Sequence, residues 1–170
     1  KRQAQDVPAG ANGVIFQPFL TGERAPFVAP DAAASFLGMR ASTTKADLAR
    51  AVMEGTALSL RHCLHSENSP TPERVVLTGG GARNALWCQI VADIMGLTIL
   101  TNASEDHGLW GAAMIGGATT GALDPMTVTR DEAFVTYSPD ADAHATYNGL
   151  FETYLKTIDA SRAIWTAMRT

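Results

Sequence analysis

Hydrophobic and polar positions follow two rhythms along the 170 residues, and the change from one to the other marks out the elements. β-Branched and aromatic residues crowd GVIFQPFL, residues 13–20, which predicts a strand ending at the turn-rich TGERAP. AASFLGMR predicts a second short strand. The segment that follows opens with Ser and Thr capping residues and then carries Leu48, Val52, Leu58 and Leu60 at broadly helical spacing, which predicts a helix over residues 45–65. The polar, Pro-containing SENSPTPE ends that helix. RVVLTG is a short continuous apolar run, the pattern of a strand buried in the middle of a sheet. A glycine triplet then leads into NALWCQIVADIMG, with Leu86, Ile90 and Ile94 at i+4 steps and a C-terminal Gly96.

LTILTN reads as the next strand, and HGLWGAAMIGGATTGAL as a helix whose small residues permit close packing on the sheet. The pattern weakens after Pro125. From about Asp142 to Arg169, Tyr147, Phe151, Tyr154, Leu155, Ile158 and Trp165 form the apolar stripe of an amphipathic helix, expected along the outside. Strands first and then alternating helix and strand imply an α/β layered domain with parallel pairing in its second half.

Composition adds limits. The chain is 46% hydrophobic and 18% charged, with mean hydropathy near zero, as in an ordinary globular domain. The net charge is −4, and the 13 Lys and Arg are scattered, which leaves no electrostatic footprint for nucleic acid or anionic lipid. No apolar run approaches the ~20 residues of a membrane span, and the first residues are too polar for a signal peptide, so a cytoplasmic location is expected. Cys63 and Cys88 fit neither a disulfide framework nor a metal motif, and both read as buried free thiols. His62 and His65 read as a solvated helix end, and no metal site is expected.

The candidate chemistry lies in VVLTGGGARNALW, residues 75–87. A strand, a glycine turn and a helix can hold a nucleotide, because the turn exposes backbone N–H groups and the helix start carries partial positive charge. The segment lacks the Lys and Ser/Thr of a P-loop. Gly79 and Gly81 fit the first two glycines of a dinucleotide fingerprint, but Asn84 stands at the third, and LTILTN ends without an acidic residue. A plain tight turn with no ligand stays open at this point.

Four blocks, in order, resemble the FGGY carbohydrate kinases. SFLGMRASTTKADLARAVME matches every constrained position of that family's second signature, through Gly38-Met39, Asp47-Leu48 and Ala51-Val52-Met53-Glu54. TGGGARNALWCQIVADIMG resembles the family's adenosine-binding segment, PFLTGERAPF the P-Y/F-L-x-G-E-R-x-P stretch of the pentulose kinases, and LWGAAMIGGATTGA the LGAAxxAxxxxG helix.

The resemblance implies an actin-like ATPase (ribonuclease H-like) domain, a mixed sheet with helices on both faces. It also implies ATP-dependent phosphorylation of a sugar hydroxyl, with a pentulose such as xylulose as first choice. Residues 1–170 would be a single domain, the C-terminal nucleotide-binding half of such a kinase. The N-terminal half, with its phosphate-binding Asp-Gly turn and general base, would be absent, and the isolated chain inactive. By the same resemblance, Gly79, Gly80, Gly81 and Asn84 would contact the nucleotide, and Glu23 and Arg24 would face the substrate cleft unless they form a structural ion pair. Glu54 and Asp93 read as structural helix carboxylates. Implied partners are ATP or ADP with Mg²⁺, a sugar and the N-terminal domain, with a homodimer left open. The alternative is an actin-like nucleotide-binding module without sugar kinase activity.

Overall fold

The computed structural model describes residues 3–66, 70–102, 107–124, 126–128 and 133–168. Pro125 and part of the loop after the first long helix therefore lie outside the described residues. Two short turns of 3₁₀-helix precede β1, Ile15–Gln17, which pairs antiparallel with β2, Ser35–Leu37, in the register Phe16 to Phe36. Pro18 cuts β1 short of the predicted span, since proline cannot donate to a ladder.

Helix α1, Lys45–Ser66, begins at Thr44, whose hydroxyl accepts from the Asp47 amide while Asp47 accepts from the Thr44 amide. The reciprocal pair satisfies two N–H groups that a helix start would otherwise leave orphaned. The buried face of α1 keeps Leu58 and part of Leu48 from the stripe that its large apolar residues predict, but not the rest. Val52 and Leu60 are exposed, while Asp47, Arg50, Glu54 and Arg61 are buried beside Ala51, Gly55, Ala57 and Leu58. Val52 and Leu60 fall outside the buried stripe because β1 lies against the helix on its small-residue side: a side chain at Gly55 would overlap the carbonyl oxygen of Phe16. Small residues are needed there, and the charged ones beside them bond to partners distant in sequence, although Glu54 Oε2 and Arg61 Nε are buried without a hydrogen bond among the described residues.

Strand β3, Arg74–Val76, pairs parallel with β4, Thr98–Asn102, which pairs antiparallel with β5, Phe134–Tyr137. The resulting mixed sheet has the order β3-β4-β5, so β4 is central, and among the described residues β3 is paired on one side only, where RVVLTG suggests a mid-sheet strand. Strand β5 lies where the pattern weakens: its Phe, Val, Thr and Tyr favour a strand, but the run is only four residues long, with Phe134 and Val135 exposed. Helix α2, Ala85–Met95, joins β3 to β4 and covers the face that carries Val75 and the fully buried Ile99.

Helix α3, His107–Thr120, forms as expected, but none of its described side chains is buried, and a Cβ on Gly108, Gly111 or Gly116 would meet nothing. Among the described residues the close packing of its small residues on the sheet is not made, and only Gly117 is closely approached, by the Leu123 side chain. Helix α4, Ala141–Met168, is more internal than expected. Tyr147, Phe151, Tyr154, Ile158 and Trp165 enter the main core, and the Trp165 ring meets Phe19 edge to face at 5.5 Å.

Candidate functional site

The turn between β3 and α2 is built from its backbone outward. Leu77 donates to the Leu100 carbonyl at 2.8 Å, which extends the sheet contact one residue beyond β3. Gly79 then takes φ +85° and ψ −172°, a conformation open almost only to glycine. Gly80–Arg83 form one turn of 3₁₀-helix, closed by bonds from the Ala82 amide to Gly79 and from the Asn84 amide to Gly81.

Asn84 is the N-cap of α2: its Oδ1 accepts from the Trp87 amide at 3.2 Å. Its Nδ2 has no protein partner among the described residues, and the side chain is exposed. The three glycines are bare for different reasons. Gly79 is required by its φ angle, and a Cβ on Gly81 would sit 3.0 Å from the Trp87 indole nitrogen. Gly80 has an ordinary φ and open space around it, so nothing among the described residues requires glycine there.

Two residues support this turn that motif reading does not single out. Trp87 packs under Gly81, and Cys88, fully buried, donates its thiol to the Ala82 carbonyl at 3.4 Å. Burial pushes the Cys88 thiol above its ordinary range, which makes it an inert hydrophobe. Cys63 departs from the expectation of burial: it is partly accessible and bonds to the Ala25 carbonyl.

Glu23 and Arg24 do not pair with each other. The Glu23 carboxylate accepts from the backbone amides of Arg24 and Ala25 at 2.7 and 3.3 Å, and its main chain exchanges two bonds with Ala29. Glu23 thus closes its own hairpin, while the Arg24 guanidinium is exposed with no partner among the described residues. Phe27 anchors the loop against Phe19, His62 and Trp165. His62 is therefore half-buried against an aromatic ring, not solvated as the sequence suggests, whereas His65 is exposed.

The structure does not bring this loop to the glycine turn. The loop is tied to Cys63 near the end of α1, where Arg61 bonds to the Ile94 carbonyl at the C-terminus of α2. The glycine turn lies at the other end of α2, about 16 Å away at 1.5 Å per residue.

Glu54 and Asp47 take part in a second constellation. Gly10, Ala11, Asn12 and Gly13 all have positive φ, and this left-handed turn is held by two carboxylates of α1. Gly10 donates to Glu54 Oε1 at 3.1 Å, and Asn12 Nδ2 donates to Asp47 Oδ1 at 2.8 Å. Glu54 Oε1 also accepts from Arg50 at 2.7 Å and from the Tyr147 hydroxyl at 2.8 Å, which links α1 to α4. Burial pushes the Glu54 carboxyl above the usual carboxylate range, against the opposing pull of Arg50, Tyr147 and the Gly10 amide. Glu54 is structural, as expected. So is Asp93, whose Oδ1 accepts from Gln89 and from the Asp140 amide at the start of α4.

The mixed sheet and its helices have the fold of the solved FGGY kinases, the actin-like ATPase fold. It superimposes on the ligand-bound xylulose kinase of Lactobacillus acidophilus with a TM-score of 0.87 and 30% identity, over 96% of this chain and 34% of that one. The sequence model of the FGGY family of carbohydrate kinases, C-terminal domain, matches residues 1–120, and the chain belongs to that family.

A xylulose kinase of Staphylococcus xylosus is 43% identical over 108 residues, 62% of this chain and 22% of the relative. A gluconokinase of Bacillus licheniformis is 33% identical over 95% of this chain and 32% of its own length. The chain thus spans about a third or less of the relatives it matches. Among the described residues no helix is long and apolar enough to cross a membrane, and no group of three metal-ligating side chains occurs.

Proposed function

We propose that residues 1–170 are the C-terminal, nucleotide-holding half of an ATP-dependent sugar kinase, with the cleft completed by an N-terminal domain of the same polypeptide. The observation that carries this reading is Gly80. It is exposed, has ordinary backbone angles and would accept a side chain freely, so its bareness suits a ligand that approaches the main chain. Beside it, the free Nδ2 of Asn84 and the N-terminus of α2 offer donors to a nucleotide. Family membership supplies the reaction class.

In this reading Gly79, Gly80 and Gly81 receive the adenosine and phosphates of MgATP, and Asn84 orients the nucleotide at the helix start. Phosphoryl transfer to a sugar hydroxyl is then a matter of positioning and of charge neutralisation by magnesium arriving on the phosphates. The general base is assigned to the N-terminal domain, and closure of the two halves excludes water. The Glu23 loop is assigned to the substrate side of the cleft, apart from the nucleotide turn, with the exposed Arg24 guanidinium facing the sugar. The sugar belongs to the class that includes xylulose and gluconate, after the named relatives, with a pentulose first.

The test is sugar-dependent ATP turnover by the complete gene product, with xylulose and gluconate compared, alongside ATP titration of the same protein. Saturable ATP binding with turnover that requires the sugar is the expected result. ATP binding without any sugar-dependent turnover would favour a nucleotide-binding module, and failure to bind ATP would overturn the reading.

A further inference from the structure

Phe27 is the point at which the loop between β1 and β2 grips the domain. Its ring is enclosed by side chains of two helices. His62 of α1 lies 5.8 Å away, Trp165 of α4 stacks on it nearly parallel at 6.5 Å, and the Arg162 guanidinium stands 4.9 Å from its centroid. One residue beyond His62, the Cys63 thiol bonds to the Ala25 carbonyl, so α1 holds the loop at two neighbouring points. The loop is closed on itself by the Glu23 carboxylate and by the two main-chain bonds between Glu23 and Ala29, each 2.9 Å long. Arg24 lies inside that closure, so the setting of its exposed side chain depends on how Phe27 is seated.

We propose that His62 positions the substrate loop and makes its seating sensitive to pH: the neutral ring holds Phe27 against α1, and the imidazolium releases it. His62 is half-buried, with Phe27 beside it and the Phe151 ring edge to face at 6.3 Å, a place where a charge loses solvation. The charged and titratable groups that face it are Glu23 of the loop, Asp159 and Arg162 of α4, and His65 of its own helix. Both carboxylates are already engaged, Glu23 with the amides of Arg24 and Ala25 and Asp159 with Arg162 at 3.3 Å. Glu23 can pair with an imidazolium only by leaving the amides that shape the loop. Burial holds the His62 pKa below its ordinary value of 6.5, with Arg162 and His65 acting in the same direction against Asp159 and Glu23. The seated loop therefore prefers the neutral ring, so seating is fully favoured above 6.5 and weakens as pH falls below it. The substrate role of the loop rests on the kinase reading above.

The experiment is residue-resolved amide hydrogen exchange on the complete gene product at about pH 7.5 and about pH 5.5, each rate divided by the intrinsic rate at that pH. The Glu23 and Ala29 amides, which close the loop, are expected to lose up to about tenfold in protection at the lower pH, the limit for one group one unit below its free value. The Leu77 amide, bonded to Leu100 outside the loop, is expected to keep its protection. His62→Phe keeps a ring against Phe27 but cannot titrate, so its loop should be equally protected at both pH values. His62→Gln, also neutral throughout, supplies the same comparison if the larger ring does not fit. Protection in the wild type that ignores pH, or a loss that persists in both variants, would overturn the proposal. His62→Ala removes the ring that seats Phe27 and is expected to raise the sugar KM several-fold with the ATP KM unchanged; an unchanged sugar KM would overturn the positioning role. Loop exchange is read without any sugar. Turnover with a loop that ignores pH defeats this inference alone, and a loop that responds through His62 without sugar-dependent turnover defeats the functional reading alone.

Discussion

Gly38 rests directly on Gly13: a Cβ at Gly38 would overlap the Gly13 carbonyl oxygen, and Gly38 has a φ of +78°. The turn after β2 and the left-handed turn before β1 are thus fitted to each other, and Asp47 and Glu54 hold the second from below. Signature residues spread over residues 38–54 meet in one small region.

Gly38→Ala should therefore destabilise the protein by about 2–4 kcal/mol, from backbone strain together with displacement of the Gly13 carbonyl. Urea unfolding measures this directly. A loss below about 1 kcal/mol would show that the two turns separate without cost.

Glu54→Ala leaves the buried Arg50 guanidinium without its counter-charge and should cost about 3–5 kcal/mol. The pH dependence has an unusual sign. The folded-state pKa of Glu54 is raised, so its contribution is fully present below the unfolded value of 4.5 and is lost as pH rises through the folded pKa. The stability difference between wild type and Glu54→Gln should accordingly move in favour of the wild type as pH falls from neutral toward 4.5. Paired unfolding curves at several pH values check it, and a difference that moves the other way contradicts the assignment.

Substitution separates the observed capping role of Asn84 from its proposed contact with the nucleotide. Asn84→Ala should lose about 1 kcal/mol of stability with the cap, and ATP affinity with the Nδ2 donor. Asn84→Ser retains a capping oxygen, so stability should hold while ATP binding weakens by roughly tenfold. Calorimetry on both variants distinguishes them. Equal ATP affinity in wild type and Asn84→Ser would leave Asn84 only its capping role.

The glycines provide a similar contrast. Gly80→Ala should leave stability unchanged or raise it by up to about 1 kcal/mol, yet impair ATP binding. Gly81→Ala presses on the Trp87 ring and should lower stability, visible as a shift in tryptophan fluorescence. Undiminished ATP affinity in Gly80→Ala would remove the strongest support for the nucleotide site.

Much of the molecule was determined by local sequence. Thr44 and Asp47, Asn84, and Gly96 mark helix ends through hydrogen bonds and backbone angles that involve only near neighbours, and α1 and α2 follow them closely. The glycine turn is equally local, since Gly79 and the Asn84 cap act within a few residues.

Tertiary structure decided the rest. It selected the charged face of α1 for burial, because Arg50 finds Tyr147 and Glu54 finds Gly10 only after distant segments are brought together. It also turned Glu23 onto its own loop, away from the glycine turn, through Phe27 and Cys63 contacts that no spacing reveals. Local patterns report bonds that a chain makes with itself nearby. Which face is buried, and which edge is left open as in β3, depends on what else occupies the adjoining space.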